Sequence, residues 1–182
     1  MANVKAAMTY EDYAALPDDG RRYELHDGEL SVTFAPGRTH QAIVGRLFAI
    51  MLEHVTTREL GEVYVSPFDT ILSNTTVVQP DIVFIANERL AILAERGVEG
   101  APTLVVEVIS PSTARIDRVT KLALYARHAV PHCWIVDAAA RTIEAYELEG
   151  AAYRIGVKWD GRKVVTLAPL PELALDPTAL WR

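Results

Sequence analysis

Cysteine is almost absent: Cys133 is the single thiol in 182 residues. One thiol closes no internal disulfide and builds no cysteine-rich zinc site. Its neighbours in "HCWIVD" are apolar, so it reads as an inert core thiol. A catalytic thiol needs surroundings that favour the thiolate, and the adjacent His132 points to the opposite face of a strand. Long apolar runs are also missing, so no segment reads as a bilayer span. The opening "MANVKAAMTYEDYAALPDDG" turns acidic before an apolar stretch develops, which argues against a signal peptide. A soluble cytoplasmic protein with no membrane partner is the expectation. Positive charge is scarce: 18 Lys and Arg against 24 Asp and Glu give a formal net charge of -6. Passive coating of DNA depends on many lysines and arginines neutralising phosphates. That class is excluded, whereas a nuclease with a local basic groove and a bound cation is not. Repeats, low-complexity tracts and linkers are absent as well.

Half of the residues are hydrophobic. Such a chain fills a sizeable core, and its length fits a single domain over 1–182. Thr9 is placed to cap a short helix running to about Leu16, ended by "LPDDG". "RRYELHDGELSVTFAPG" reads as a hairpin about Asp27-Gly28. Its first strand divides into Tyr23 and Leu25 on one face and Arg22, Glu24 and His26 on the other. Leu30, Val32 and Phe34 form an apolar face on the second strand. From Thr39, read as an N-cap, Ile43, Leu47, Ile50, Met51 and Val55 follow helical spacing. Strands are expected over "EVYVS", "FDTIL" and "VVQPDIVFIA", then an irregular excursion over "NERLAILAERGVEGAP". "TLVVEVIS", stopped by Pro111 and Ser112, leads through a helix over "STARIDRVTKLALYARHAV" into "HCWIVDA". Strand, helix, strand in that order implies a crossover with parallel pairing. "RTIEAYEL", "AYRIGVKW" and "KVVTLAPL" read as a closing antiparallel ribbon. The class is therefore α/β (α+β), a mixed central sheet with flanking helices and hairpin additions.

One residue disturbs this pattern. "PTLVVEVISPST" reads as a buried strand, yet Glu107 lies in its middle. Alternation puts Leu104, Val106 and Val108 on a packing face and Val105, Glu107 and Ile109 on the other. A buried carboxylate needs a cationic partner or a metal. Asp81 stands in a similar setting, at the entrance of "DIVFIA" after Pro80, whose missing N–H suits a strand start. Two carboxylates converging from neighbouring strands suit Mg²⁺, an ion that takes hard oxygen ligands. Lys121, four residues after Asp117 and four before Tyr125, supplies a cation on the crossover helix. Glu24 is a fourth candidate and His40 a weaker fifth. Taken singly, each has a plainer role. Glu107 would be a strand acid paired with a buried Lys or Arg, Lys121 a solvated lysine paired with Asp117, and Glu24 an exposed acid paired with Arg22 or a cross-strand partner. His40 would touch solvent, and Tyr125 would be core.

"YELHDGEL", "QPDIVFI", "LVVEVISPST", the Lys121–Tyr125 pair and "VPHCWIVD", in this order, resemble the Uma-type restriction endonuclease family of the PD-(D/E)xK nuclease superfamily. The resemblance runs from about Tyr10 to Pro169. It implies a restriction-endonuclease-like fold and a metal-dependent endonuclease acting on DNA with Mg²⁺ or Mn²⁺; a homodimer is expected beside it, because two sites related by symmetry address both strands of a duplex. Asp81 matches the aspartate of the "PD" element, Glu107 the following acid, and Glu24 a recurrent acid in "YEL". The superfamily places its lysine two residues after the second acid, where this chain has Ile109; Lys121 is then the expected replacement. The implied catalytic set is Asp81, Glu107, Lys121 and Glu24, with the metal on Asp81, Glu107 and the main-chain carbonyl of Val108. The alternative is a nuclease-fold binding or regulatory protein that has lost turnover.

Overall fold

The computed structural model describes residues 6–33, 35–109 and 116–182. Phe34, the Pro111–Ser112 strand stop and the helix start expected at 112–115 lie outside the described residues.

Thr9 caps α1 (Tyr10–Ala14) through a capping box: its N–H donates to Asp12 Oδ2 at 2.8 Å, and the Asp12 N–H returns to Thr9 Oγ1 at 3.4 Å. β1 (Arg22–His26) and β2 (Glu29–Thr33) then form the expected hairpin. Asp27 and Gly28 both have positive φ, 51° and 84°, the backbone twist a two-residue hairpin turn requires. Leu30 and Val32 are exposed rather than covered. α2 (Arg38–Thr57) begins one residue before the expected cap. Extended Gly37 is its N-cap, with no side-chain hydrogen bond, and Thr39 lies inside the first turn.

β3 (Gly61–Val65) and β4 (Asp69–Ser73) follow, then β5 (Thr76–Val78) and β6 (Ile82–Ala86). The run "VVQPDIVFIA" is thus two strands, not one, and they belong to different sheets. Pro80 has no N–H to give a ladder, so pairing breaks there and the chain passes from one sheet to the other across Gln79–Asp81. The excursion that follows is a 3-10 turn (Asn87–Ile92) and a small hairpin, β7 (Leu93–Ala94) and β8 (Gly97–Glu99). After β9 (Leu104–Ile109) a π-helical segment (Ile116–Lys121) runs into α3 (Leu122–Arg127) and on to β10 (His132–Asp137). β9 and β10 pair in parallel, as the strand–helix–strand order predicts.

β11 (Thr142–Glu149) and β12 (Ala152–Trp159) form the long antiparallel ribbon. The third strand expected there does not join it. β13 (Val165–Thr166) pairs instead with β14 (Ala174–Leu175), ahead of the short α4 (Pro177–Leu180). Leu167, Leu170, Leu173 and Leu175 thereby join the core cluster that contains α2, burying apolar surface that a sheet edge would have left wet.

One six-stranded sheet has the order β2-β1-β5-β4-β8-β7, and the other β12-β11-β10-β9-β6-β3. In the second sheet, Leu104, Val106 and Val108 pack with Ile43, Leu47 and Met51 of α2. Val105 and Ile109 pack on the opposite face with Leu124 and Tyr125 of α3 and with Val78 of the other sheet. The alternation read from the sequence is observed: Glu107 faces α3 and the first sheet. No described helix is long and apolar enough to cross a membrane.

Gly61 opens β3 at φ 146°, where an added Cβ would run into the Ile85 carbonyl of the paired strand. Gly61→Ala is expected to cost at least about 2 kcal/mol, from backbone strain and a contact that cannot relax cheaply. Urea unfolding of the variant beside the parent measures this.

Candidate active site

Glu107 enters from the centre of β9, where both faces of the strand are buried. Lys121 meets it from the last residue of the π-helical segment, Nζ lying 3.1 and 3.2 Å from the two carboxylate oxygens. The same ammonium is 2.9 Å from Glu24 Oε1, delivered by β1. All three residues are buried, and Lys121 is only 5 % exposed. The plainer roles of the last two therefore fail. Lys121 is not a solvated lysine, and Arg22 binds Gln79 rather than Glu24. The side chain of Asp117 lies outside the described residues. Ile109, the position two residues after Glu107, packs in the α3-side core, and the ammonium beside Glu107 comes from the helix instead. Its π-helical origin matters, because such turns shift the residues that follow around the helix axis.

Three further groups order this cluster. The Tyr125 hydroxyl donates a short hydrogen bond to Glu107 Oε1. Burial, with Glu107 and Glu24 nearby, pushes this phenol well above its ordinary range, so it remains a neutral donor. Glu24 accepts from the Gln79 main-chain N–H at 2.8 Å and lies 3.2 Å from His26 Nε2. Burial opposes ionisation of Glu24, but Lys121, His26 and the Gln79 N–H outweigh it and hold the carboxyl down at about 2.

Asp81 stands where the chain enters the second sheet. Antiparallel pairing of Ile82 with Val106 sets Asp81, one residue earlier, opposite Glu107, one residue later, in the backbone register, while its carboxylate contacts lie with His40 and the Val108 N–H. Its Oδ2 accepts the Val108 N–H at 2.8 Å and lies 3.1 Å from His40 Nε2. A carboxylate oxygen accepts, so in this contact His40 Nε2 is the donor. The other ring nitrogen, Nδ1, is buried without a partner among the described residues. The solvent-facing role for His40 is thereby replaced: its side chain is 14 % exposed and holds Asp81.

The segment that carries Lys121 has a second anchor. Arg118 forms a short ion pair with Glu144 of β11, which Lys158 Nζ and the Tyr146 hydroxyl also reach at 2.9 and 3.0 Å. Ile135 is the register partner of both Glu107 and Glu144. The two acids therefore flank it on one face, and each holds one cation of the same segment. Sequence reading missed this pair, Tyr125 as a donor, and the main-chain donors of Gln79 and Val108. Only Tyr125, four residues after Lys121, left a signal in spacing.

The donor chemistry fits a hard divalent cation. Glu24, Glu107 and Asp81 are buried carboxylates, the hard oxygen donors that such an ion takes. Among the described residues no group of three or more His, Cys, Asp or Glu is placed to hold a metal. Magnesium needs fewer, because it is ordinarily held by one or two carboxylates with waters and phosphate oxygens.

The model of the Uma2 family, described as "Putative restriction endonuclease", matches residues 10–178. Among solved structures, the chain superimposes with a TM-score of 0.79 on a crystal structure from Anabaena variabilis titled "putative nuclease belonging to DUF820". The two are 17 % identical, over 96 % of this chain and 97 % of the other. That likeness shows a shared fold. No curated protein matches the chain.

Replacing Lys121 with Met strands two buried carboxylates and is expected to cost about 3–5 kcal/mol in urea unfolding. Glu24 titrates near 4.5 when free and at about 2 when folded. Its stabilisation is therefore present above pH 4.5 and lost as pH falls towards 2. Stability measured across that window should fall steeply in the parent chain and less steeply in Lys121→Met.

Proposed function

This chain belongs to the Uma2 family, and from that premise we propose that it is a metal-dependent DNA endonuclease hydrolysing phosphodiester bonds with Mg²⁺ or Mn²⁺. The observation that carries the reading is the Lys121 ammonium, buried between Glu107 and Glu24, with Asp81 opposite Glu107 in the backbone register of the neighbouring strand. Asp81, Glu107 and the main-chain carbonyl of Val108 would hold the ion. When bound, it supplies an acidified water and positive charge at the scissile phosphate.

The chain's own groups do the rest. Lys121 Nζ orients the attacking water with a hydrogen bond and offsets charge on the phosphate. Glu24 holds that ammonium together with Glu107. Tyr125 donates to Glu107 Oε1 and fixes the carboxylate's orientation, while His40 and the Val108 N–H do the same for Asp81. We take residues 1–182 as one domain working on DNA in the cytoplasm. A C2 dimer is part of the proposal, because two symmetric sites address both strands of a duplex.

One observation favours a second reading, a nuclease-fold binding protein without turnover: Lys121 and Tyr125 already engage the Glu107 carboxylate. Calorimetric titration with Mn²⁺ separates the two. A working site binds the ion, and Glu107→Ala abolishes that heat.

Supercoiled, linear and single-stranded DNA incubated with Mg²⁺ or Mn²⁺ should be cut. Asp81→Asn should slow cutting by about 10²–10³-fold, the scale of losing one preorganised electrostatic group. Cutting no faster than the Asp81→Asn background on all three substrates would sink the catalytic reading.

A further inference from the structure

A cleft of about 430 Å³ opens beside the site, between α1, the start of β1 and the β7–β8 hairpin. Its volume falls in the range of small-molecule pockets, roughly 300–1,000 Å³. The lining includes Tyr10, Tyr13, Tyr23, Arg21, Arg96 and Gln79.

The rings are fixed before anything binds. Tyr10 and Tyr13 stack with centroids 6.3 Å apart and planes 23° from parallel. The Tyr13 hydroxyl donates to Asp69 Oδ1 at 2.9 Å, and the Tyr23 hydroxyl to Asp19 Oδ2 at 2.8 Å. Asp69 also accepts from Gln79 Nε2 at 2.7 Å, so this acid is occupied as an acceptor within the cleft wall. Asp18 lines the cleft too.

The cations are not fixed in this way. Arg96, at the tip of the β7–β8 hairpin, has no hydrogen bond or ion pair among the described residues. Arg21 has one exposed pair, at 3.5 Å from Asp19. Gln79 links the cleft to the reaction site: its side chain lines the cleft, while its main-chain N–H donates to Glu24.

We propose that this cleft seats one unpaired nucleotide of the DNA substrate, its base against the tyrosine rings and its phosphates on Arg96 and Arg21. The assignment rests on the nuclease reading and narrows it. A base within a duplex is already stacked and cannot offer its face to a tyrosine, so the nucleotide seated here comes from a single strand or is extruded from the duplex that the paired sites address. Fixed rings lose little freedom on binding, and a guanidinium without a partner forfeits no existing bond when it takes a phosphate.

Fluorescence anisotropy tests this with the full chain carrying Asp81→Asn to suppress cutting. The probes are a short fluorescein-labelled single strand and the same sequence as a blunt duplex. The single strand should bind more tightly than the duplex, and Arg96→Gln and Tyr10→Ala should each weaken it about ten-fold. Arg96 is exposed, so Arg96→Gln should melt at the parent temperature. Unchanged single-strand affinity in both variants, no single-strand binding by the parent, or a preference for the duplex would each overturn the proposal. Cutting by the unmutated chain is scored separately. Single-strand binding that depends on Arg96, in a chain that cuts nothing, supports the cleft and refutes the nuclease.

Discussion

An ammonium withdrawn from water must be answered by negative charge, and much of this structure is the answer for Lys121. Two carboxylates reach it, Glu107 from the second sheet and Glu24 from the first. Because they come from different sheets, the ion cluster also clamps the sheets together along with the apolar contacts of Val78. Buried ion pairs are poor sources of net stability, since desolvation offsets most of the attraction. Packing alone therefore gives little reason for this cluster between the two sheets. The surrounding groups agree with this. Tyr125 and the Gln79 N–H each add a second donor to an oxygen that Lys121 also reaches, and His26 lies against the other oxygen of Glu24.

The geometry around the cluster follows from two local irregularities. Pro80 ends one ladder and lets the next begin, which places Asp81 at the junction between sheets. The π-helical turn ahead of α3 sets Lys121 over Glu107 and Arg118 over Glu144. Regular elements on either side would have been easier to form. The chain tolerates the departures because each is tied down: the Asp81 carboxylate by the Val108 N–H, the π-turn by two carboxylates.

Much of this was legible in the residues. Alternation in "LVVEVI" divides the strand as observed, and Asp27-Gly28 and the Thr9 box are local signals that nothing distant overrides. The crossover between β9 and β10 follows from element order. What was not legible depends on partners remote in sequence. Glu24 looks like a solvent-facing acid on an alternating strand until the second sheet covers it. "KVVTLAPL" looks like a third ribbon strand until its leucines meet α2. The break at Gln79–Asp81 was half visible: proline marks a strand start, but nothing local says that the two halves serve different sheets. Arg118 and Glu144 gave no signal, being ordinary charged residues until the register aligns Glu144 with Ile135 and Glu107.

The bond from the Val108 N–H to Asp81 has a consequence for how such a site tolerates change. The donor is main chain, so nineteen of the twenty amino acids carry it and only proline lacks it. The Val108 side chain answers to a different demand, the packing against α2. Position 108 can therefore drift among apolar residues of similar size while the carboxylate beside it stays anchored. A reader looking for shared side chains would pass over one of the contacts that aims the site.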